Sequence, residues 1–204
     1  MKLENITFSY DNNHIILDGI NYEFEKGKHY VIRGENGAGK TTLLKLILGF
    51  IKSRQGKIFF DKDTVFSYCP DHNGLYEDLS VWDNIIFRLA IYKQDYEPYL
   101  DKINELLIKY NLMNNKNKKV NELSHGMKKK TALIASFIVD YDYLILDEPT
   151  NGIDDKSKRE VIRMINNFQE SEKTIICITH DKELIKSIDA TVLNLEKGHL
   201  YEVV

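Results

Sequence analysis

The stretch Gly34 to Thr42 (GENGAGKTT) constrains this chain more than any other. It follows a short apolar run, His29 to Ile32 (HYVI), that predicts a buried strand. It precedes Leu43 to Phe50 (LLKLILGF), where apolar residues recur at helical spacing. Gly34, Gly39, Lys40 and Thr41 fit the pattern G-x-x-x-x-G-K-[ST]. Glycines let backbone N–H groups turn inward around phosphate oxygens, where a side chain would block the approach. The helix that follows points its N-terminus, worth roughly half a positive charge, at the same anion. Lys40 adds a full charge, and the Thr41 hydroxyl can ligate Mg²⁺. A chance glycine-rich turn would lack the flanking strand and helix. The loop predicts a nucleotide site but not what the nucleotide is for.

The 204 residues suit one large domain, or one domain with an inserted lobe. A hydrophobic fraction of 43% is enough for a substantial core. The net charge of −3 and pI near 6.1 give no basic footprint and argue against a nucleic-acid partner. Cys69 and Cys177 lie far apart without metal-ligand spacing, so a reducing cytosol is the expected compartment. The start, MKLENITFSY, has no apolar signal core. No apolar stretch approaches the ~18 residues of a membrane helix. Any membrane part of the system is expected on another chain.

Leu3 to Tyr10 alternates as a half-buried strand does, with a turn at Asp11-Asn12-Asn13. Ile15 to Phe24 predicts one or two more strands. Gly56 to Phe60 and Thr64 to Tyr68 read as a hairpin around Asp61-Lys62-Asp63, which makes the N-terminal part partly antiparallel. From Asp71 the character changes. Ser80 is a predicted N-cap with Asp83 in the capping-box position, opening a helix to about Tyr92. Further helices are expected over Tyr99 to Tyr110 and Met127 to Val139, joined by the polar Asn114 to Lys119. Strands and helices then alternate: Tyr143 to Leu146, Asp155 to Phe168, Thr174 to Ile178, Lys182 to Ile188. This implies a parallel sheet, closed by strands at Ala190 to Leu195 and His199 to Val203. One domain over 1–204 follows, with a nucleotide-binding core of 1–70 and 140–204 and a helical lobe over about 71–139.

Two more constellations carry chemistry. In Tyr143 to Thr150 (YLILDEPT) an apolar strand ends in Asp147 and Glu148. Ligands bind beside the carboxyl ends of parallel strands, which places Asp147 to hold Mg²⁺ and Glu148 to orient or deprotonate a water. In Glu122 to Lys130 (ELSHGMKKK), Ser124 and Gly126 sit where a helix begins, a second anion site. Plain helix capping by Ser124 is the competing reading. Lys128 to Lys130 read as a solvated face.

Phosphate loop, helical lobe, LSHGM, LILDEP, NGID and a His after a strand occur in that order. Together they resemble the nucleotide-binding domain of an ABC (ATP-binding cassette) ATPase, LSHGM being similar to the family's signature LSGGQ. The resemblance implies an α/β P-loop NTPase fold of the ABC-ATPase type: a mixed sheet core, an antiparallel N-terminal part and an inserted α-helical lobe. It implies ATP and Mg²⁺ as cofactors. It assigns Tyr10 to adenine stacking and Asn36, Gly37, Ala38 and Thr42, with the loop residues above, to the phosphates. Lys40, Glu148 and His180 become catalytic, His180 as the switch histidine. Thr41, Asp147 and Asp71 become metal-site residues. Asn151 to Asp154 matches a loop that communicates between subunits. Ser124 and Gly126 are implied to serve the ATP of a facing copy, in a homodimer or pseudo-dimer that sandwiches the nucleotide.

The family usually carries Gln where this chain has Asp71. The shorter, charged carboxylate would hold a metal more strongly, would repel the γ-phosphate, or would point to solvent. His125 and Met127 also depart from the signature. The expected function is the ATPase subunit of a transporter, peripheral on the inner face of the cell membrane and paired with a membrane-spanning permease near Asp71 to Trp82. The short length, SHGMKKK and the missing C-terminal extension resemble bacterial exporter ATPases. A soluble cluster-assembly ATPase and a low-turnover ATP-dependent interaction module are the alternatives.

Overall fold

Three strands with continuous apolar sequence, YVIR, YLILD and TIICI, set the architecture. Every residue of the last two is buried. Such strands need cover on both faces, which parallel sheets obtain from crossover helices. The computed structural model describes residues 1–11, 14–169 and 172–203. Its main sheet has six strands, ordered β5 (Phe66–Cys69), β6 (Tyr143–Asp147), β7 (Thr174–Ile178), β3 (Tyr30–Arg33), β8 (Thr191–Glu196) and β9 (His199–Glu202). All neighbours run parallel except β8 and β9. A second, antiparallel sheet has the order β2 (Leu17–Glu23), β1 (Lys2–Phe8), β4 (Gln55–Phe59).

The two-residue period of the strands sorts the core into two layers. Val31, Leu144, Leu146, Ile175 and Cys177 face one way. They pack with apolar residues of α2 (Val81–Ile91), α3 (Leu100–Lys109), α4 (His125–Phe137) and α5 (Asp155–Asn167). Tyr30, Ile32, Ile145, Ile176 and Ile178 face the other way, toward α1 (Lys40–Ile47) and the small sheet. A last helix, α6 (Lys182–Ser187), packs on α5. Ser80 caps α2 as expected: the Asp83 amide donates 3.0 Å to Ser80 Oγ, and that hydroxyl, rather than the Ser80 amide of a full capping box, donates 2.6 Å to the Asp83 carboxylate.

Three sequence expectations need correction. The hairpin over 56–68 does not form. β4 joins β1 in the small sheet, whereas β5 lies parallel to β6 on the edge of the large one. The Asp61-Lys62-Asp63 turn carries the chain from sheet to sheet, because the largely exposed β4 suits an edge and the half-buried β5 packs against the core. The lysine run is not a solvated face. Lys129 and Lys130 are buried, since α4 is wedged between β5 and α5. Lys130 donates to the Tyr110 carbonyl and pairs with Glu160 at 2.9 Å. The third helix also starts two residues early, at His125, with Ser124 as its cap. The expected turn residues Asn12 and Asn13 lie outside the described residues.

Candidate functional site

β3, β6 and β7 are neighbours and parallel, so their carboxyl ends open on one edge of the sheet. Each end carries chemistry. After β3 comes the glycine loop, at the end of β6 stand Asp147 and Glu148, and two residues past β7 is His180. A cavity of about 510 Å³ occupies this edge, lined by Gly39, Lys40, Thr41, Asp147, Glu148 and His180 among others.

The loop's geometry requires glycine at two places. Gly37 and Gly39 have φ of 84° and 101°, and Gly39 caps α1 in that left-handed conformation. A Cβ at Gly39 would meet the Leu17 side chain at 2.9 Å. Lys40 curls over the loop, donating to the carbonyls of Gly34 (2.8 Å) and Glu35 (2.9 Å). Its ammonium is thereby held against the mouth of the anion cradle.

Burial pushes the Asp147 carboxyl above its ordinary range, and the neighbouring charges of Asp71 and Glu148 push the same way. Tyr68 donates to it at 3.4 Å. Three carboxylates facing one cavity form a field that a divalent cation relieves, and oxygen donors are what Mg²⁺ takes. The oxygen donors suit that ion, although among the described residues no group of three or more His, Cys, Asp or Glu is placed to hold a metal by itself. Glu148 stands at φ 45°, left-handed and strained for a non-glycine residue. Its amide donates to the Ile178 carbonyl at 2.8 Å, and its carboxylate lies 2.9 Å from His180 Nδ1. Backbone strain here turns the side chain of Glu148 toward β7's exit.

Asp71 also lines the cavity, although the residue as a whole is exposed. It accepts from Asn151 Nδ2 at 3.2 Å and 3.4 Å. Tyr10 is exposed and is not among the lining residues, but its hydroxyl lies 3.4 Å from Oγ1 of Thr42, which is. Asn36, Gly37 and Thr42 line the cavity, while Gly34 and Ala38 lie behind it, on a second hollow with Asn194 and Lys197. Ser124 and Gly126 are not among its lining residues. Ile16, Asn151 and Ile178 are lining residues that the sequence reading did not assign to the nucleotide, and Tyr68 and Lys129 were missed as supports. Only Asn151 carried a signal, its place in NGID.

A family model described as ABC transporter matches residues 17–151, from β2 through the loop after β6. The chain belongs to the ABC transporter family. An ABC transporter ATP-binding protein of Methanocaldococcus jannaschii is 35% identical over 198 residues, covering 97% of this chain and 74% of the relative. The spermidine/putrescine import ATP-binding protein PotA of Borreliella afzelii is 27% identical over 214 residues, covering all of this chain and 62% of PotA. Among solved structures, an ATP-binding subunit of an ABC transporter superposes with a TM-score of 0.88 at 21% identity, covering 100% and 89% of the two chains. A dimeric cassette bound to ADP and Pi gives 0.83 at 23%, covering 99% and 97%. The cbiO1 protein of Clostridium perfringens, part of an ABC transporter complex, gives 0.81 at 27%, covering 98% and 86%. The ABC-ATPase fold and the ATPase class of the chain follow from this membership. No helix among the described residues is long and apolar enough to cross a membrane.

Proposed function

We propose that this ABC ATPase binds and hydrolyses ATP at the cavity between its glycine loop and β6, and that it powers a separate membrane-spanning permease. The observation that carries the reading is the convergence of Lys40, Thr41, Asp147, Glu148 and His180 on one cavity from three strand ends. Loop amides and Lys40 bind the triphosphate, with Gly34 and Ala38 shaping the loop from behind, and Tyr10 packs against the base. Thr41 and Asp147, with Asp71 beside them, hold Mg²⁺, which neutralises charge on the phosphates when bound. Glu148 orients the attacking water and takes its proton, and His180 fixes the Glu148 carboxylate while facing the γ-phosphate.

Ser124 and Gly126 lie off this cavity, which supports their service to a facing copy's ATP in a head-to-tail dimer. The core of 1–70 and 140–204 and the lobe of 71–139 are then the two parts that close on one another. Apolar residues of the lobe share one cluster with one face of the core sheet, so motion is transmitted through packed side chains. A groove beside them, lined by Tyr76, Phe87, Arg88 and Ile91, is the face we assign to the permease, on the inner side of the membrane. Export is the direction we favour, on the SHGMKKK stretch. The likeness to PotA weighs toward import, and uptake against efflux in vesicles with the permease decides it.

The test of the site is Glu148→Gln. The variant is expected to bind ATP at unaltered affinity and to dimerise, while turnover falls about a hundredfold or more. Steady-state hydrolysis at the parental rate would remove Glu148 from its role.

A further inference from the structure

Three consecutive lysines on α4 meet three different fates. Lys128 pairs with Glu77 at 2.8 Å and Lys130 with Glu160 at 2.9 Å. Lys129 is 2% exposed and forms no ion pair among the described residues. Its hydrogen-bond acceptor among the described residues is the main-chain carbonyl of Asp71, 2.8 Å away. A buried ammonium without a paired carboxylate is costly, so its surroundings must supply negative field. Burial weighs most and lowers the pKa of Lys129, while Cys69 and then the carboxylates of Asp71, Asp147 and Glu148 push the other way and offset part of that cost.

Asp71 is consequently held from two sides. α4 fixes its backbone through Lys129, and the loop after β6 holds its carboxylate through Asn151. Its acid stands among the groups that face the cavity, where it would repel a triphosphate. The buried cation lies under the same residue and has the opposite sign.

Resting on the ATP-site reading above, we infer that Lys129 is a positioning residue of this site, fastening Asp71 at the cavity rim and offsetting the negative charge that Asp71 brings to it. The pair works as a unit: a cation that is out of solvent balances an acid at the nucleotide's edge. Lys129 also sits on the helix that begins at Ser124. Any shift of α4 therefore moves Asp71, and the site feels the state of the signature end of its own chain.

Titration calorimetry of ATP into the full-length chain without Mg²⁺ tests the charge balance, with thermal melts to establish folding. Lys129→Gln is expected to weaken ATP binding about tenfold, the scale of one lost charge interaction at a partly screened site. Asp71→Gln is expected to tighten it severalfold. The double variant should return to within about threefold of the parent, and Lys129→Arg should stay within the same margin. A packing or backbone-tethering role alone predicts no such return, because Asp71→Gln leaves the carbonyl acceptor in place. A double variant as weak as Lys129→Gln, or unchanged affinity in Lys129→Gln, overturns the inference. Should Lys129→Gln not fold, recovery of folding in the double variant supports the charge balance, and failure of both overturns it. Absence of ATP binding by the parent chain would instead sink the functional reading and this inference with it.

Discussion

Asp147 is 8% exposed beside Asp71 and Glu148, and burial raises its pKa above the ordinary carboxylate range. The sign of the consequence follows from linkage. A carboxyl whose folded pKa lies above its unfolded value opposes folding once pH exceeds the unfolded value, and fully so above the folded one. At neutral pH the protein without nucleotide therefore carries a cost at Asp147 that the proposed cation would remove. Asp147→Asn is expected to raise the melting temperature without ligand by about 2–4 °C, the size of a 1 kcal/mol change in a chain of this length. The same variant should lose the extra stabilisation that Mg²⁺ adds to ATP in the parent. A lower melting temperature without ligand would show that the acid is held by partners rather than strained by neighbours. Gly39 and Glu148 mark how far single residues are legible. The pattern around Lys40 encodes the φ of 101° at Gly39, because glycine is there for that conformation. Nothing in LILDEP encodes the φ of 45° at Glu148, which the surrounding backbone imposes.

At the scale of elements, Gly126 has a packing reason to be glycine besides the anion role proposed for it. It lies in the first turn of α4, where a Cβ would collide with the Ser157 side chain on α5. Small-residue contact lets the two helices approach, and Asp154 caps α5 and accepts from the Ser157 hydroxyl at 2.8 Å, fixing it there. Gly126→Ala should cost about 1–3 kcal/mol in denaturant unfolding, as overpacking does. Adding Ser157→Gly should recover most of that loss, and no recovery would place the glycine's requirement elsewhere. The helices themselves were legible from caps and spacing, as at Ser80 and Asp83. The partners of a strand were not. β4 and β5 are close in sequence, and local pattern cannot tell a hairpin from a step between sheets. The lysines of α4 misled for a related reason: a charge run implies solvent only until another element is packed over it.

Across the whole molecule, the sheet divides its labour between its two edges. The carboxyl ends of β3, β6 and β7 hold strained and like-charged groups, and the opposite edge holds the chain together. Asp142, just before β6, is the knot at that edge. Its carboxylate accepts from Lys26, in the turn after β2, at 2.8 Å and from the Val65 amide, just before β5, at 2.9 Å. Its carbonyl accepts from Thr174 at the start of β7. One residue thus joins the small sheet's exit to three strands of the large one. Burial alone would raise its pKa, but Lys26 and the Val65 amide more than reverse this and leave the carboxyl below its ordinary value. A depressed carboxyl contributes stability that is present above the unfolded pKa and lost as pH falls through the folded one. Asp142→Asn is therefore expected to cost about 1 kcal/mol at neutral pH, an exposed lysine being a weak partner and the amide bond the stronger one. The gap between variant and parent should hold down to about pH 4 and close as pH falls below the unfolded value near 3.8. ATP affinity should not move, since Asp142 lies at the edge away from the cavity. A gap that persists unchanged at pH 2, measured by denaturant unfolding, would mean that the residue acts through shape and not through charge.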